Sequence, residues 1–246
     1  MRAWERLSSA HDERRRQFLN KKIFCKFVVA QGLKTPFKTW VFDLDNTLHN
    51  ATPHIFPHIS RAMTQYLRTH LGLDEAGANE LRVRYWHHYG ATLLGLIRYH
   101  EVDARHFLWH THQFPDLPRM ILAEGGLRGT LRRLPGRKVI FSNAPVHYSK
   151  AVLGVLNIAD LFQDIFTIER TRFRPKPDTA GFYRLFQQQR LNPAQCIMVE
   201  DSLENLKTAK KLGMKTVWVS AGANRPSYVD VSVNSVLRLP KLLHKL

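Results

Sequence analysis

Cysteine is scarce in this 246-residue chain, which holds only Cys25 and Cys196. One pair makes no disulfide framework of the kind small secreted domains depend on, so a reduced, cytoplasmic setting is the simpler expectation. Long apolar runs are missing too. None approaches the roughly 20 residues that span a bilayer, and residues 1–17 are charged where a signal peptide would be apolar, so a soluble protein with no membrane partner is expected. Acidic residues are the third scarcity, 20 against 37 Lys and Arg, for a formal net charge of +17. Such an excess suits nucleic acid, a membrane surface or small anions. It is uneven, however: residues 1–40 hold ten Lys or Arg against three acids. Arg14-Arg15-Arg16 and Lys21-Lys22, interleaved with Phe18, Phe24 and Phe27, could touch nucleic acid. A solvated helix with a loosely held arm is the plainer account.

Against these shortages stands Phe42-Asp43-Leu44-Asp45-Asn46-Thr47-Leu48, with two carboxylates one residue apart where the apolar run from Trp40 to Leu44 stops. In an extended segment residues i and i+2 face the same side, so both acids can reach one small volume at a strand end. A lone Asp-x-Asp is as readily a turn. The later apolar runs tip the balance, because each also ends in reactive groups. Val139-Ile140-Phe141 leads into Ser142-Asn143, the run from Ile165 to Ile168 is followed by Arg174-Pro175-Lys176-Pro177, and Cys196-Ile197-Met198-Val199 leads into Glu200-Asp201.

The spacing of these segments predicts the architecture. Parallel strands need crossovers of about a dozen residues or more, usually a helix. Ser142 to Lys176 is 34 residues and Lys176 to Asp201 is 25, the size of βαβ steps, whereas Thr47 to Ser142 is 95. The surplus reads as an inserted unit with helices over 57–71, 74–89, 92–99 and 103–112. After it, helices over 126–134, 145–156, 179–190 and 203–212 alternate with strands over 138–141, 162–168, 196–199 and 216–219. A short strand over 229–233 and a helix from Pro240 are expected to finish the chain. The expectation is an α/β fold, a doubly wound parallel sheet of Rossmann-like type with a helical cap. Its parts are a basic extension (1–37), a catalytic core (38–50 and 124–246) and the cap (51–123). Ligands of such sheets bind beyond the carboxyl ends of the strands, where all these reactive residues fall.

In order and spacing these residues resemble the four motifs of the haloacid dehalogenase-like hydrolases. Asp43-Leu44-Asp45-Asn46-Thr47 matches the first, Ser142 the second, Lys176 the third and Glu200-Asp201 the fourth, over about residues 38–246. The stretches Tyr89-Gly90-Ala91-Thr92-Leu93-Leu94-Gly95-Leu96, His100-Glu101-Val102, Phe141 to Pro145 and Glu200 to Lys207 look like the pyrimidine 5'-nucleotidase branch. The resemblance implies a doubly wound core of the haloacid dehalogenase type and a phosphoric monoester hydrolase, with Asp43 as nucleophile and Asp45 as general acid and base. Lys176 would hold Asp43 and phosphate together, and Ser142 with the backbone N–H groups around Asn143 would bind phosphate at the helix opened by Pro145. Hard oxygen ligands and a phosphate substrate favour Mg²⁺. The resemblance implies Asp43, the Asp45 carbonyl and Asp201 as its ligands, with Glu200 close by. In isolation Lys176 would be a solvated loop lysine and Ser142 a helix cap.

Carbon–halogen cleavage requires no proton for an alkoxide, and dehalogenases lack the second acid of the first motif, so Asp45 argues for a phosphatase. Substrate choice is assigned to the cap, with Tyr89 and Gly90 as candidates to close on a base and ribose and cap packing as the competing account. Hydrolysis of pyrimidine nucleoside 5'-monophosphates is therefore expected. The alternatives are a phosphatase of a small metabolite such as phosphoglycolate or a sugar phosphate, a phosphomutase, or a basic RNA-associated module with a vestigial site. His106 and His110, four apart on a helix, with His87, His88 and His112 in the same unit, suggest a zinc site but lack a third ligand at a convincing spacing. His49, His54 and His147 lie closer to the motifs as possible donors to substrate.

Overall fold

The computed structural model describes residues 39–222 and 224–245. The basic extension, Cys25 and the nucleic-acid reading attached to that segment lie outside the described residues. The strands are β1 (Thr39–Phe42), β2 (Arg137–Phe141), β3 (Asp164–Phe166), β4 (Cys196–Glu200), β5 (Lys215–Val219) and β6 (Val231–Val233). They form one parallel sheet in the order β3-β2-β1-β4-β5-β6. The three central strands are apolar on both faces. Trp40, Val41, Phe42, Val139, Ile140, Phe141, Ile197, Met198 and Val199 are all buried, as a parallel sheet covered by helices on both sides requires. Each fully buried Phe or Ile contributes roughly 1.5–3 kcal/mol.

Helices α1 (Ile55–Leu71), α2 (Glu75–Tyr89), α3 (Thr92–His100), α4 (Ala104–Thr111) and α5 (Leu117–Met120) lie between β1 and β2, with α6 (Leu127–Arg133) leading into β2. The crossovers that follow are α7 (Val146–Val155), α8 (Thr179–Gln189) and α9 (Leu203–Lys211). α1 to α4 pack around a cluster of their own that includes Tyr66, Leu67, Tyr85, Leu96 and Phe107, whereas Ala51, Ile55 and Leu117 join the cluster under the sheet. The Asn50 N–H donates to the Leu122 carbonyl at 2.7 Å, so the outgoing and returning chains lie side by side. No helix among the described residues is long and apolar enough to cross a membrane.

Three elements differ from expectation. β3 spans only Asp164–Phe166 because 3-10 bonding precedes it, with Phe162 N–H on Ala159 O, and a turn at Thr167 follows it, with Arg170 N–H on Thr167 O. The short helix α5 is additional. The C-terminal segment Val236–Lys245 is 3-10 rather than the expected helix from Pro240, which here lies in the segment's interior and has no N–H to give.

Strand order reverses beside β1, between β2 and β4. Phe42 pairs with Ile140 on one side and Val199 on the other, and the ladder extends one residue further as Asp43 N–H donates to Val199 O at 3.0 Å. Asp43 is thereby fixed at the switch point of the sheet, on its carboxyl edge.

Candidate active site

The loops after β1, β2, β3 and β4 converge on Lys176. Its Nζ donates to Asp43 Oδ1, Glu200 Oε2 and the Phe141 carbonyl, each at 2.7 Å, which satisfies all three N–H groups of a buried ammonium. The loop that carries it is held at both ends. Thr171 donates through Oγ1 to Ile168 O and accepts from Arg174 N–H, and the Asp178 carboxylate caps α8 by accepting from Ala180 N–H. Between these ties Asn143 grips the backbone of Lys176 reciprocally, accepting its N–H at 2.8 Å and donating to its carbonyl at 3.0 Å. The Asn143 side chain is thus committed to positioning Lys176.

Ser142 is buried, and its Oγ accepts from Ala144 N–H at 3.0 Å, which leaves the hydroxyl proton free to donate. One backbone N–H at the start of α7 is already taken. Glu169 accepts the Val146 N–H at 3.0 Å and the Thr167 hydroxyl at 2.6 Å, so an internal carboxylate already lies against that positive helix end.

Oxygens of Asp43, Glu200 and Asp201 lie within 4.8 Å of one another. The Asp201 backbone is anchored by Trp218 Nε1 on its carbonyl at 2.9 Å. Three carboxylates gather around one ammonium here, and burial, reinforced by their mutual repulsion, raises the proton affinity of each. Burial, then the neighbouring Glu200, pushes Asp43 up to about 7. Burial also pushes Glu200 up to about 7, reinforced by Asp201, and it raises Asp201, reinforced by Asp43. Burial works against the charge on Lys176, but Asp43 and Glu200 outweigh it and hold the ammonium above the usual lysine range.

The Asp45 carboxylate stands apart from this cluster. Its Oδ1 accepts from Tyr148 OH at 2.6 Å and pairs with His49 Nε2 at 2.9 Å. Burial first, and Asp45 second, keep the Tyr148 phenol protonated far above its ordinary range. Asn46 is left-handed (φ 59°) and accepts from Ala51 N–H at 2.9 Å and Thr52 Oγ1 at 3.1 Å, so it shapes the turn that follows Asp45.

Asp43, Asp45, Ser142, Asn143, Lys176, Glu200 and Asp201 therefore gather at one sheet edge. Tyr89 and Gly90 are recorded in another setting. Tyr89 OH donates to Tyr99 OH at 2.7 Å and its ring packs against Tyr85, all inside the helical insertion, while Gly90 is the left-handed cap that ends α2 (φ 77°). Gly95 also serves packing: a Cβ there would lie 2.3 Å from the Tyr85 ring. Tyr148 and Glu169 had no signal in the sequence, since both act across the fold. His49 was legible as a neighbour of the first motif, though its partner is Asp45. His112 is buried beside Tyr148, with ring centroids 5.7 Å apart, and burial lowers it to about 4. It is therefore neutral at physiological pH.

Residues 37–213 match the family described as haloacid dehalogenase-like hydrolase. The chain is similar to phosphate metabolism protein 8 of Saccharomyces cerevisiae, 26% identical over 72% of this chain and 60% of the yeast protein, so under two thirds of that relative is spanned. It is 25% identical to a phosphoglycolate phosphatase of Pseudomonas putida over 80% of this chain and 74% of that protein. Its fold is similar to the crystal structure of a haloacid dehalogenase-type phosphatase from Thermococcus onnurineus, with a TM-score of 0.59 and 21% identity over 84% of this chain and 97% of that one.

Proposed function

This chain belongs to the haloacid dehalogenase-like hydrolases, and on that premise we propose that it hydrolyses a small organic phosphate monoester through a phospho-aspartate at Asp43. The observation that carries this reading is the Lys176 ammonium, 2.7 Å from Asp43 at the carboxyl end of the central strand, with two further carboxylates beside it. Lys176 would hold Asp43 in place and, as a fixed buried cation beside it, offset the repulsion between a carboxylate and a phosphate dianion. The Ser142 hydroxyl would donate to a phosphoryl oxygen. Asp43 attacks phosphorus while the ester bond breaks, and Asp45 gives its proton to the leaving oxygen. Asp45 then takes a proton from the water that attacks the phospho-aspartate, which frees phosphate and returns Asp43. Tyr148 and His49 occupy only Oδ1 of Asp45, so the other carboxylate oxygen is left for this transfer.

The donor set fits Mg²⁺. Asp43, Asp201 and Glu200 offer hard oxygens within 4.8 Å of one another, three carboxylates against the single ammonium of Lys176. Asp43 and Asp201 would hold the ion, with the Asp45 carbonyl and Glu200 close by. When bound, Mg²⁺ supplies charge neutralisation for the phosphate.

For the substrate, the similarity to phosphoglycolate phosphatases favours a small acid phosphate, and 2-phosphoglycolate is the first compound to test. Pyrimidine nucleoside 5'-monophosphates are the second reading. It is favoured by Trp109, 56% exposed and packed on His147 at 4.9 Å, which offers a ring face to a base. The test is a comparison of kcat/KM with Mg²⁺ across 2-phosphoglycolate, UMP, CMP and several sugar phosphates. A preference for 2-phosphoglycolate supports the first reading, a preference for UMP or CMP replaces it with the second, and no hydrolysis of any monoester refutes both.

A further inference from the structure

Three histidines meet on the surface of the helical insertion, where α1 and α4 pack together. His106 and His110 are one turn apart on α4 with ring centroids 4.3 Å apart, and His70, in the last turn of α1, lies 5.1 Å from the first and 5.9 Å from the second. All three are exposed. The third ligand that the spacing of His106 and His110 did not provide comes from another helix, 36 residues earlier in the chain than His106.

The size of this triangle is that of a metal site. Three imidazoles bound tetrahedrally to one ion at about 2.0–2.1 Å have ring centroids about 5 Å apart. As placed, the nitrogens do not all come within 4.8 Å of one another. Convergence needs rotation about χ2, a broad torsion that costs little at an exposed ring. The floor of the cluster is already built. The buried Tyr66 ring lies 4.2, 5.6 and 6.1 Å from those of His70, His106 and His110, and its hydroxyl is 2.9 Å from His106 Nδ1. With the phenol oxygen accepting from Nδ1–H, the His106 Nε2 lone pair is left for a ligand. A fixed partner on the non-ligating nitrogen is how metal-binding histidines are oriented.

We propose that His70, His106 and His110 form a surface site for a first-row divalent ion, represented by Zn²⁺, with water completing the coordination. Imidazole donors select Zn²⁺, Ni²⁺ or Cu²⁺ over the Mg²⁺ and Ca²⁺ that carboxylates prefer. The ion would join α1 to α4, and the site shares no residue with the carboxylates around Lys176.

The test is calorimetric titration of the full chain, free of any histidine tag, with Zn²⁺ in excess Mg²⁺ that occupies hard-oxygen sites. The expected result is one Zn²⁺ per chain and a loss of affinity of at least about tenfold in the triple variant His70→Ala, His106→Ala, His110→Ala. Tyr66→Phe, which keeps the ring but removes the partner of Nδ1, is expected to weaken binding by about 10–100-fold. His110→Asn alone, at an exposed position, serves if the triple variant does not fold. Equal affinity and stoichiometry in the wild type and these variants would place the ion elsewhere and overturn the proposal, as would the absence of Zn²⁺ binding to the wild type.

Discussion

Lys176 Nζ lies 2.7 Å from Asp43 Oδ1 and 2.7 Å from Glu200 Oε2, so one buried ammonium is shared by carboxylates from two neighbouring strands. Removing it leaves both acids facing each other without a cation. Lys176→Met is expected to destabilise the metal-free protein by about 3–5 kcal/mol, the usual result of breaking a buried pair from one side. Adding Glu200→Gln should recover part of that loss. Urea unfolding of the wild type and the two variants checks both, and an unchanged midpoint in Lys176→Met would contradict the assignment.

Asp45 is expected to act as a proton donor whose importance depends on the leaving group. Asp45→Asn should lower kcat/KM for an alkyl phosphate by about 10²–10⁴ and for 4-nitrophenyl phosphate much less, because nitrophenolate departs without a proton. Tyr148→Phe removes one hydrogen bond to the same carboxylate and should lower kcat by about tenfold, in line with roughly 1–1.5 kcal/mol per bond. Equal losses on both substrates would argue against the donor role.

His112 makes the fold sensitive to acid. Burial holds it at about 4 against an ordinary 6.5. Between those values the unfolded chain binds a proton that the folded chain does not, so stability falls as pH falls. The loss from this group is expected to be roughly 2 kcal/mol by pH 5 and to complete near pH 4. Urea midpoints at pH 7 and pH 5 should differ less in His112→Gln than in the wild type, and an equal difference would contradict the assignment.

Gly95 is assigned to helix packing. Gly95→Ala drives a methyl into the Tyr85 ring and should cost about 1–3 kcal/mol through overpacking. Thermal unfolding and KM measured together distinguish this from substrate closure, for which KM would rise at unchanged stability.

The residues legible beforehand are those whose neighbours in sequence reveal them. Asp43, Ser142 and Glu200 each directly follow an apolar run of the kind a covered parallel strand needs, Lys176 stands eight residues beyond another that ends at Ile168, and the 95-residue gap from Thr47 to Ser142 announced the insertion. The supporting contacts were hidden because they cross the fold. Tyr148 reaches back 103 positions to Asp45, Asn143 clamps a backbone 33 residues away, and Glu169 covers the start of α7 from the next loop. His70 was missed for the same reason, since helical spacing relates residues on one helix and is silent about the helix packed against it. The Tyr89 to Leu96 segment shows the opposite failure. Its glycines read as room for a ligand, yet Gly95 makes room for Tyr85, and a lone glycine does not say what approaches it.

The central claim is that Asp43 becomes phosphorylated. Rapid acid quench of the Asp45→Asn protein with a hydrolysed monoester and Mg²⁺, followed by peptide mass spectrometry, reads this directly. The account predicts a phosphoryl group on Asp43 and its absence in Asp43→Asn, which should also lack turnover. Hydrolysis without a labelled aspartate, a label on another residue, or appreciable turnover by Asp43→Asn would contradict it.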